Sequence, residues 1–134
     1  MSLARALVAD SLPGFREKLA GLLSACGVEV VGEVAEVEEL THALSTTIPD
    51  ILILDMSLVE PIDDLVFDTR ASFMQRLRSN WPGLVVVVLS TMGNGTDSSE
   101  FAEKIGGFAY MNKEDVLSEL PKVMQKIVDG AVTR

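Results

Sequence analysis

Four short apolar segments of the chain each end at a polar residue, and this pattern restricts the folds that the chain can adopt. The segments lie at 4–9, where Arg5 is the one charged residue, and at 51–54, 84–89 and 108–111. The polar residues that end them are Asp10, Asp55, Ser90 and the Asn112-Lys113 pair. Strands that are apolar on both faces are typical of a parallel sheet covered by helices. A further strand is predicted at 28–34, where β-branched residues are frequent.

Helical periodicity separates these strands. Apolar residues at steps of three or four predict helices at 15–26, 37–44, 67–77 and 116–127. Gly27 is expected to end the first helix in a left-handed conformation, and Gly130 to end the last, which Asp115 caps. Another helix is predicted at 96–105, after a Gly93-Asn94-Gly95 turn. The alternation predicts an α/β fold, a (βα)5 doubly wound parallel sheet of five strands.

Length and composition favour one globular domain. With 134 residues, 48% of them hydrophobic, the chain has material for a single core. We expect that domain at 4–130, with residues 1–3 a remnant before it and no output domain in this chain. The longest apolar run, 84–89, is far shorter than the roughly 20 residues of a membrane span, and no signal peptide is apparent. The net charge of −9 argues against direct nucleic-acid binding. A single cysteine, Cys26, agrees with a cytoplasmic location.

The polar residues that end the strands offer a specific chemistry if they meet. In doubly wound sheets, ligands bind beyond the carboxyl ends of the strands. Asp10 and Asp55 supply the hard oxygen ligands that Mg²⁺ prefers. Asp55 could then attack a phosphoryl group as a carboxylate nucleophile, while Lys113 and the Ser90 hydroxyl bind the transferred oxygens.

Each of these residues also has an ordinary structural explanation. Asp10 could open a turn or cap a helix, and Asp55 could be a polar strand end near a helix. Ser90 could be a turn hydroxyl, and Lys113 a solvated lysine. His42 has no second histidine or cysteine partner in sequence and is interpreted as a surface residue.

At these residues the chain resembles the receiver domains of bacterial two-component response regulators, over about 5–130. The matching segments are Ala-Leu-Val-Ala-Asp at 6–10, Pro-Asp-Ile-Leu-Ile-Leu-Asp at 49–55, Val-Val-Val-Leu-Ser at 86–90 and Gly-Gly-Phe-Ala-Tyr-Met-Asn-Lys at 106–113. The Phe15-Arg16 pair and the Trp81-Pro82 helix stop look most like the NarL/FixJ type, whose receivers usually precede a DNA-binding helix-turn-helix domain.

The resemblance implies a flavodoxin-like strand order 2-1-3-4-5 and a role for each site residue. The implied roles are phosphoacceptor for Asp55, metal ligand for Asp10 and, through its backbone carbonyl, for Ser57, switch hydroxyl for Ser90, phosphate contact for Lys113, and inward-swinging aromatic for Tyr110. The implied cofactor is Mg²⁺.

Several positions depart from the family pattern. The family has two acids after the first strand, and we assign the first of them to Ala9, which leaves Asp10 as the only acid from that strand. Val59 replaces the usual proline, and Thr91 replaces a small residue beside the switch hydroxyl. The stretch between Asp55 and Ser90 is longer than the family's by an acidic insertion at 60–68.

Two functions follow as expectations. The first is a receiver that is phosphorylated on Asp55 by a histidine kinase or phosphotransfer protein with Mg²⁺, and that acts as a conformational switch. Such a domain is not an enzyme beyond self-catalysed phosphoryl transfer and autodephosphorylation. Its candidate partners include a second copy, through the face of the fourth helix, fifth strand and fifth helix, and a DNA-binding output domain outside this chain; no membrane partner is expected.

The second is an atypical receiver that is not phosphorylated and serves as a constitutive protein-interaction module. The departures at Ala9, Val59, Thr91 and 60–68 motivate it. A flavin carrier or enzyme of the same fold is disfavoured because the turn at 10–14 lacks a glycine-rich or hydroxyl-rich phosphate cradle, and no GxGxxG motif occurs.

Overall fold

The computed structural model describes residues 4–58, 66–90 and 109–132. Helices and strands alternate within each of these ranges. The strands are β1 (Arg5–Ala9), β2 (Glu29–Val34), β3 (Ile51–Asp55), β4 (Val85–Ser90) and β5 (Ala109–Asn112). The helices are α1 (Pro13–Ala25), α2 (Val37–Thr47), α3 (Val66–Asn80) and α4 (Val116–Val132), and single 3₁₀ turns follow β3 (Met56–Leu58) and β5 (Lys113–Asp115). The helix predicted at 96–105 lies outside the described residues.

The five strands form one sheet in the order β2-β1-β3-β4-β5. All four neighbouring pairs are parallel, which confirms the predicted doubly wound, flavodoxin-like fold. The register places Asp55 opposite Leu89, and Ser90 opposite Asn112. Since parallel strands all end at the same edge, the residues that terminate β1, β3, β4 and β5 lie along one side of the sheet.

Helices cover both faces of the sheet because its central strands are apolar on both sides. On one face Leu19 and Leu23 of α1 and Leu120 and Met124 of α4 pack in one buried cluster. On the other face a second cluster contains Leu40 and Leu44 of α2 and Met74 and Leu77 of α3. Every residue of β3 is buried. This burial on two sides fixes the central strand, and with it the position of Asp55.

The end of α1 follows the expected chemistry of a helix C-terminus. Gly27 has a φ of 78°. Its N–H donates to the carbonyl of Ser24 at 3.1 Å, and the N–H of Val28 donates to the carbonyl of Leu23 at 2.9 Å. These two bonds define a Schellman motif, so the predicted left-handed glycine is confirmed.

The end of α4 differs from the prediction. The helix continues through Gly130 to Val132, so the expected stop at Gly130 was two residues too early. A glycine costs only about 1 kcal/mol relative to alanine inside a helix. The buried side chains of Val116, Leu120 and Met124 anchor α4 to the sheet, and this anchoring outweighs the local cost.

No helix within the described ranges has the length and apolar character required to cross a membrane.

Candidate functional site

Three charged side chains meet beyond the carboxyl edge of the sheet. Asp10 directly follows β1, Asp55 is the last residue of β3, and Lys113 directly follows β5. The Nζ atom of Lys113 lies 2.7 Å from Oδ2 of Asp10 and 3.0 Å from Oδ2 of Asp55. Neighbouring strands are about 4.8 Å apart, so β5 lies roughly 10 Å from β3. The lysine is the side chain long enough to cross the end of β4 and reach both acids.

These three groups are almost completely removed from solvent. The exposed fractions are 0% for Asp10, 1% for Asp55 and 7% for Lys113. Burying a charge is costly unless an opposite charge or hydrogen bonds compensate it. With two carboxylates and one ammonium, the cluster keeps a net charge of about −1 when all three are ionised. Each carboxylate therefore depends on the same ammonium for its charge compensation.

Ser57 holds both oxygens of the Asp55 carboxylate. Its backbone N–H donates to Oδ1 at 3.0 Å, and its hydroxyl donates to Oδ2 at 2.7 Å. The 3₁₀ turn Met56–Leu58 brings these donors back toward the strand end. The sequence interpretation gave Ser57 only a backbone carbonyl role and missed its hydroxyl. An aspartate followed two residues later by serine is a turn pattern that could have indicated this contact.

Asp10 has the structural role that the sequence suggested, and its role as a metal ligand stays a prediction. Its Oδ1 accepts the backbone N–H of Leu12 at 2.8 Å, which is the turn-opening role considered from the sequence. Its backbone carbonyl accepts a hydrogen bond from Nη1 of Arg16 at 2.7 Å. Its Oδ2 is buried and has no partner with hydrogen-bond geometry, although Lys113 Nζ is close by. Asp10 therefore offers an oxygen that is charge-paired but not hydrogen-bonded.

Phe15 is a site residue that the sequence interpretation did not assign. Lys113 Nζ lies 4.6 Å from the centroid of the Phe15 ring, within the range of a cation–π contact. Phe15 belongs to the first turn of α1, two residues after the proline that begins the helix. The sequence signal was an aromatic residue at the entry of the helix that follows Asp10.

The assignment of the missing acid to Ala9 needs correction. Ala9 is the last residue of β1, is 1% exposed, and packs in the apolar cluster with Leu7 and Leu54. A carboxylate there would point into the core. The two positions that follow the strand are 10 and 11, and Ser11 is exposed. The carboxylate that the family pattern has and this chain lacks therefore corresponds to Ser11.

Of the two predicted switch residues, Ser90 lies beside the strand end that carries Asp55, and Tyr110 lies three positions before Lys113. Ser90 is the half-buried last residue of β4, one position beyond the residue that pairs with Asp55. Tyr110 of β5 is half-buried against the cluster on the α2 and α3 face. Movement of these residues stays a prediction. Val59, Thr91 and the insertion at 60–68 fall mostly outside the described residues, which resume at Val66.

The residues present fit Mg²⁺ by donor type. Two carboxylates and the Ser57 carbonyl are hard oxygen ligands, and Asp10 Oδ2 is a buried oxygen without a hydrogen bond. Within the described ranges, no group of three or more His, Cys, Asp or Glu side chains is arranged to hold a metal ion. Any site here would thus combine few protein ligands with water. His42 is exposed on α2, as interpreted from the sequence.

Comparison with known proteins identifies proteins that are similar to this chain in sequence or in fold. No family model matches the chain. It is 31% identical over 113 residues to a protein-glutamate methylesterase/protein-glutamine glutaminase from Agrobacterium fabrum, a match that covers 84% of this chain but only 30% of that protein.

Solved structures match over nearly the full length. A LuxR-family two-component response regulator from Aurantimonas sp. SI85-9A1 superposes with a TM-score of 0.74 at 25% identity, covering 96% of this chain and 87% of the other. The non-phosphorylated receiver domain of the stress response regulator RcsB from Escherichia coli superposes with a TM-score of 0.77 at 20% identity, covering 96% and 95%. The second likeness concerns the fold alone.

Proposed function

The chain is a receiver domain of two-component response regulators, and we propose that Asp55 is its phosphoacceptor. The observation that carries the proposal is the buried Asp55 carboxylate, held by Ser57 at a strand end and facing the ammonium of Lys113. An ionised carboxylate in this position is a nucleophile, and the ammonium is a counter-charge for the oxygens of an incoming phosphoryl group.

The proposed reaction is transfer of a phosphoryl group from a phosphohistidine. A carboxylate oxygen of Asp55 forms a bond to phosphorus while the bond from phosphorus to the histidine nitrogen breaks, and the nitrogen keeps the electron pair. Lys113 then compensates charge on the transferred oxygens, and the Ser90 hydroxyl donates a hydrogen bond to one of them. The backbone N–H and the hydroxyl of Ser57 belong to one turn. Their hydrogen bonds therefore orient the Asp55 carboxylate before the phosphohistidine arrives.

Asp10, Asp55 and the carbonyl of Ser57 would hold Mg²⁺ at this site. When bound, the ion supplies charge neutralisation for the acceptor carboxylate and for the phosphoryl oxygens. The buried Asp10 Oδ2, which faces the Lys113 ammonium at 2.7 Å but accepts no hydrogen bond, supports this assignment.

The proposed output is a population shift. New bonds from the phosphoryl group to Ser90 and Lys113 favour one of two conformations, and Tyr110 moves inward as Ser90 is drawn toward Asp55. The surface that partners would read includes β5 and the exposed side of α4; the helix predicted at 96–105 lies outside the described residues.

We also propose a phosphoryl donor, a cellular location and a recipient of the signal for this domain. The donor is a histidine kinase or phosphotransfer protein, and the domain acts in the cytoplasm, where its free Cys26 stays reduced. A second copy, or a DNA-binding output domain outside this chain, would receive the signal. The methylesterase relative is matched over only 30% of its length, so its activity is not carried over.

The test is phosphorylation in solution. Incubation with acetyl phosphate and Mg²⁺, followed by intact mass spectrometry, is expected to show one added phosphoryl group per chain. Asp55→Asn should abolish the addition. Asp50→Asn is the matched control, because Asp50 is an exposed acid at the opposite end of β3 and should leave phosphorylation unchanged. Failure of the wild type to gain the group, from acetyl phosphate or from a cognate kinase, would reject the proposal.

The alternative is a receiver that is not phosphorylated and binds its partner constitutively. The specific observation in its favour is that Lys113 contacts both carboxylates, Asp10 and Asp55. In addition, position 11, where the family pattern has an acid, is a serine. An amide NMR titration with Mg²⁺ separates the two functions. Shift changes confined to the region of Asp10 and Asp55 favour the phosphorylated switch, and an unchanged spectrum favours the constitutive module.

A further inference from the structure

We propose that Phe15 is a positioning residue for Lys113, because its ring holds the lysine ammonium between Asp10 and Asp55. The ring thereby weakens the binding of a divalent cation to these two carboxylates. The inference rests on the metal site of the proposed function but not on phosphoryl transfer. Phe15 would thus help to set the affinity of the site for the divalent cation.

Three elements of the fold enclose the ammonium of Lys113. The ends of β1 and β3 provide carboxylate oxygens at 2.7 and 3.0 Å, and α1 provides the aromatic ring at 4.6 Å. The side chain of Lys113 is 8% exposed. The ring cannot accept a strong hydrogen bond, but its negative face attracts a cation, and it occupies space that water would otherwise fill. The ammonium is therefore held by two charges and by one apolar wall.

A divalent cation and this ammonium need the same oxygens. Lys113 approaches Oδ2 of Asp10 and Oδ2 of Asp55, the two carboxylates proposed as metal ligands. Two positive groups cannot share that space without strong repulsion, so loading of the cation requires the ammonium to withdraw. Withdrawal gives up the contact with Phe15. The cation–π contact therefore stabilises the metal-free arrangement and lowers the apparent affinity for the cation.

The test compares Mg²⁺ dissociation constants of the unphosphorylated protein by amide NMR titration at constant ionic strength. Phe15→Leu keeps an apolar side chain but removes the ring, and is expected to bind Mg²⁺ about two to five times more tightly. Phe15→Tyr keeps the ring and should retain the wild-type affinity. Phe73→Leu is the matched control, because Phe73 is another half-buried ring near a cation, Arg76, at 6.0 Å, but lies on α3; its affinity should equal the wild type.

A double-mutant cycle identifies the cause. In the Lys113→Met background, Phe15→Leu should no longer change the Mg²⁺ affinity, because no ammonium is left for the ring to hold. Equal affinities of Phe15→Leu and wild type would overturn the inference. A Phe15→Tyr variant that behaves like Phe15→Leu, or an effect of Phe15→Leu that persists without Lys113, would overturn it as well.

The outcome is independent of the phosphorylation test. Amide spectra and thermal unfolding curves establish that each variant is folded, and the comparison of Phe15→Leu with Phe15→Tyr stands without the Lys113 background. If Asp55 accepts no phosphoryl group while the Mg²⁺ affinities differ as expected, the proposed function fails and the role of Phe15 holds. If Asp55 is phosphorylated and the affinities are equal, the reverse is true.

Discussion

The Nζ atom of Lys113 lies 2.7 Å from Oδ2 of Asp10, although β5 and β1 are separated in the sheet by β3 and β4. The same ammonium contacts Asp55 between them. One lysine thus compensates two buried carboxylates that belong to different strands. This arrangement makes the stability of the domain and the proposed chemistry of its site depend on the same three side chains.

Replacing Lys113 should strongly destabilise the domain. Lys113→Met keeps most of the aliphatic stem but leaves Asp10 and Asp55 buried without a counter-charge, so the free energy of unfolding should fall by about 3–5 kcal/mol. Urea denaturation measures this change. Lys122→Met is the control, because Lys122 is mostly exposed and lies 3.9 Å from Glu119, a surface pair worth less than about 1 kcal/mol. Equal losses in the two variants would contradict the compensating role of Lys113.

The hydroxyl of Ser57 should contribute to stability through Asp55. Ser57→Ala removes a 2.7 Å hydrogen bond to a buried carboxylate and should lower the free energy of unfolding by about 1–3 kcal/mol. Chemical denaturation provides the measurement. Ser45→Ala removes an exposed hydroxyl that donates within α2 to the carbonyl of Thr41, and should change stability very little. A Ser57→Ala loss no larger than that of Ser45→Ala would argue against the contact.

Ile48 is a site where stability can be gained. It ends α2 with a φ of 46°, a left-handed conformation that costs a residue other than glycine roughly 1–2 kcal/mol. Its side chain is 68% exposed, so little burial is lost on truncation. Ile48→Gly should raise the free energy of unfolding by about 0.5–1 kcal/mol, measured by thermal or urea unfolding. Gly27→Ala, at a φ of 78° with open space around it, should have the opposite sign; a shared sign would refute the backbone argument.

The strand pattern predicted the fold because β3 and β4 are apolar on both faces, and only helices on both sides of a sheet can bury them. Asp10, Asp55 and Lys113 could be predicted to meet for the same reason, since parallel strands end at one edge. The hydroxyl contact of Ser57 and the ring contact of Phe15 could not. They depend on the geometry of a 3₁₀ turn and on the angle at which α1 leaves β1, which residue types alone do not specify. The assignment of the missing acid to Ala9 failed because successive residues of a strand point in opposite directions. A shift of one residue at the strand end therefore decides whether a side chain lies in the core or at the site.

Position 11 should control how strongly the proposed metal site binds Mg²⁺. Ser11 is exposed directly after Asp10, so Ser11→Asp adds a carboxylate at the strand edge without burying it. More ligand charge raises cation affinity, and we expect the Mg²⁺ dissociation constant to fall on the order of tenfold. An amide NMR titration checks this, with wild type as reference. Ala9→Asp is the contrasting variant. Ala9 packs in the apolar cluster beneath the site, so a carboxylate there should reduce stability by several kcal/mol without improving Mg²⁺ binding. If Ala9→Asp bound Mg²⁺ more tightly and Ser11→Asp did not, the acid that the family has and this chain lacks would correspond to position 9.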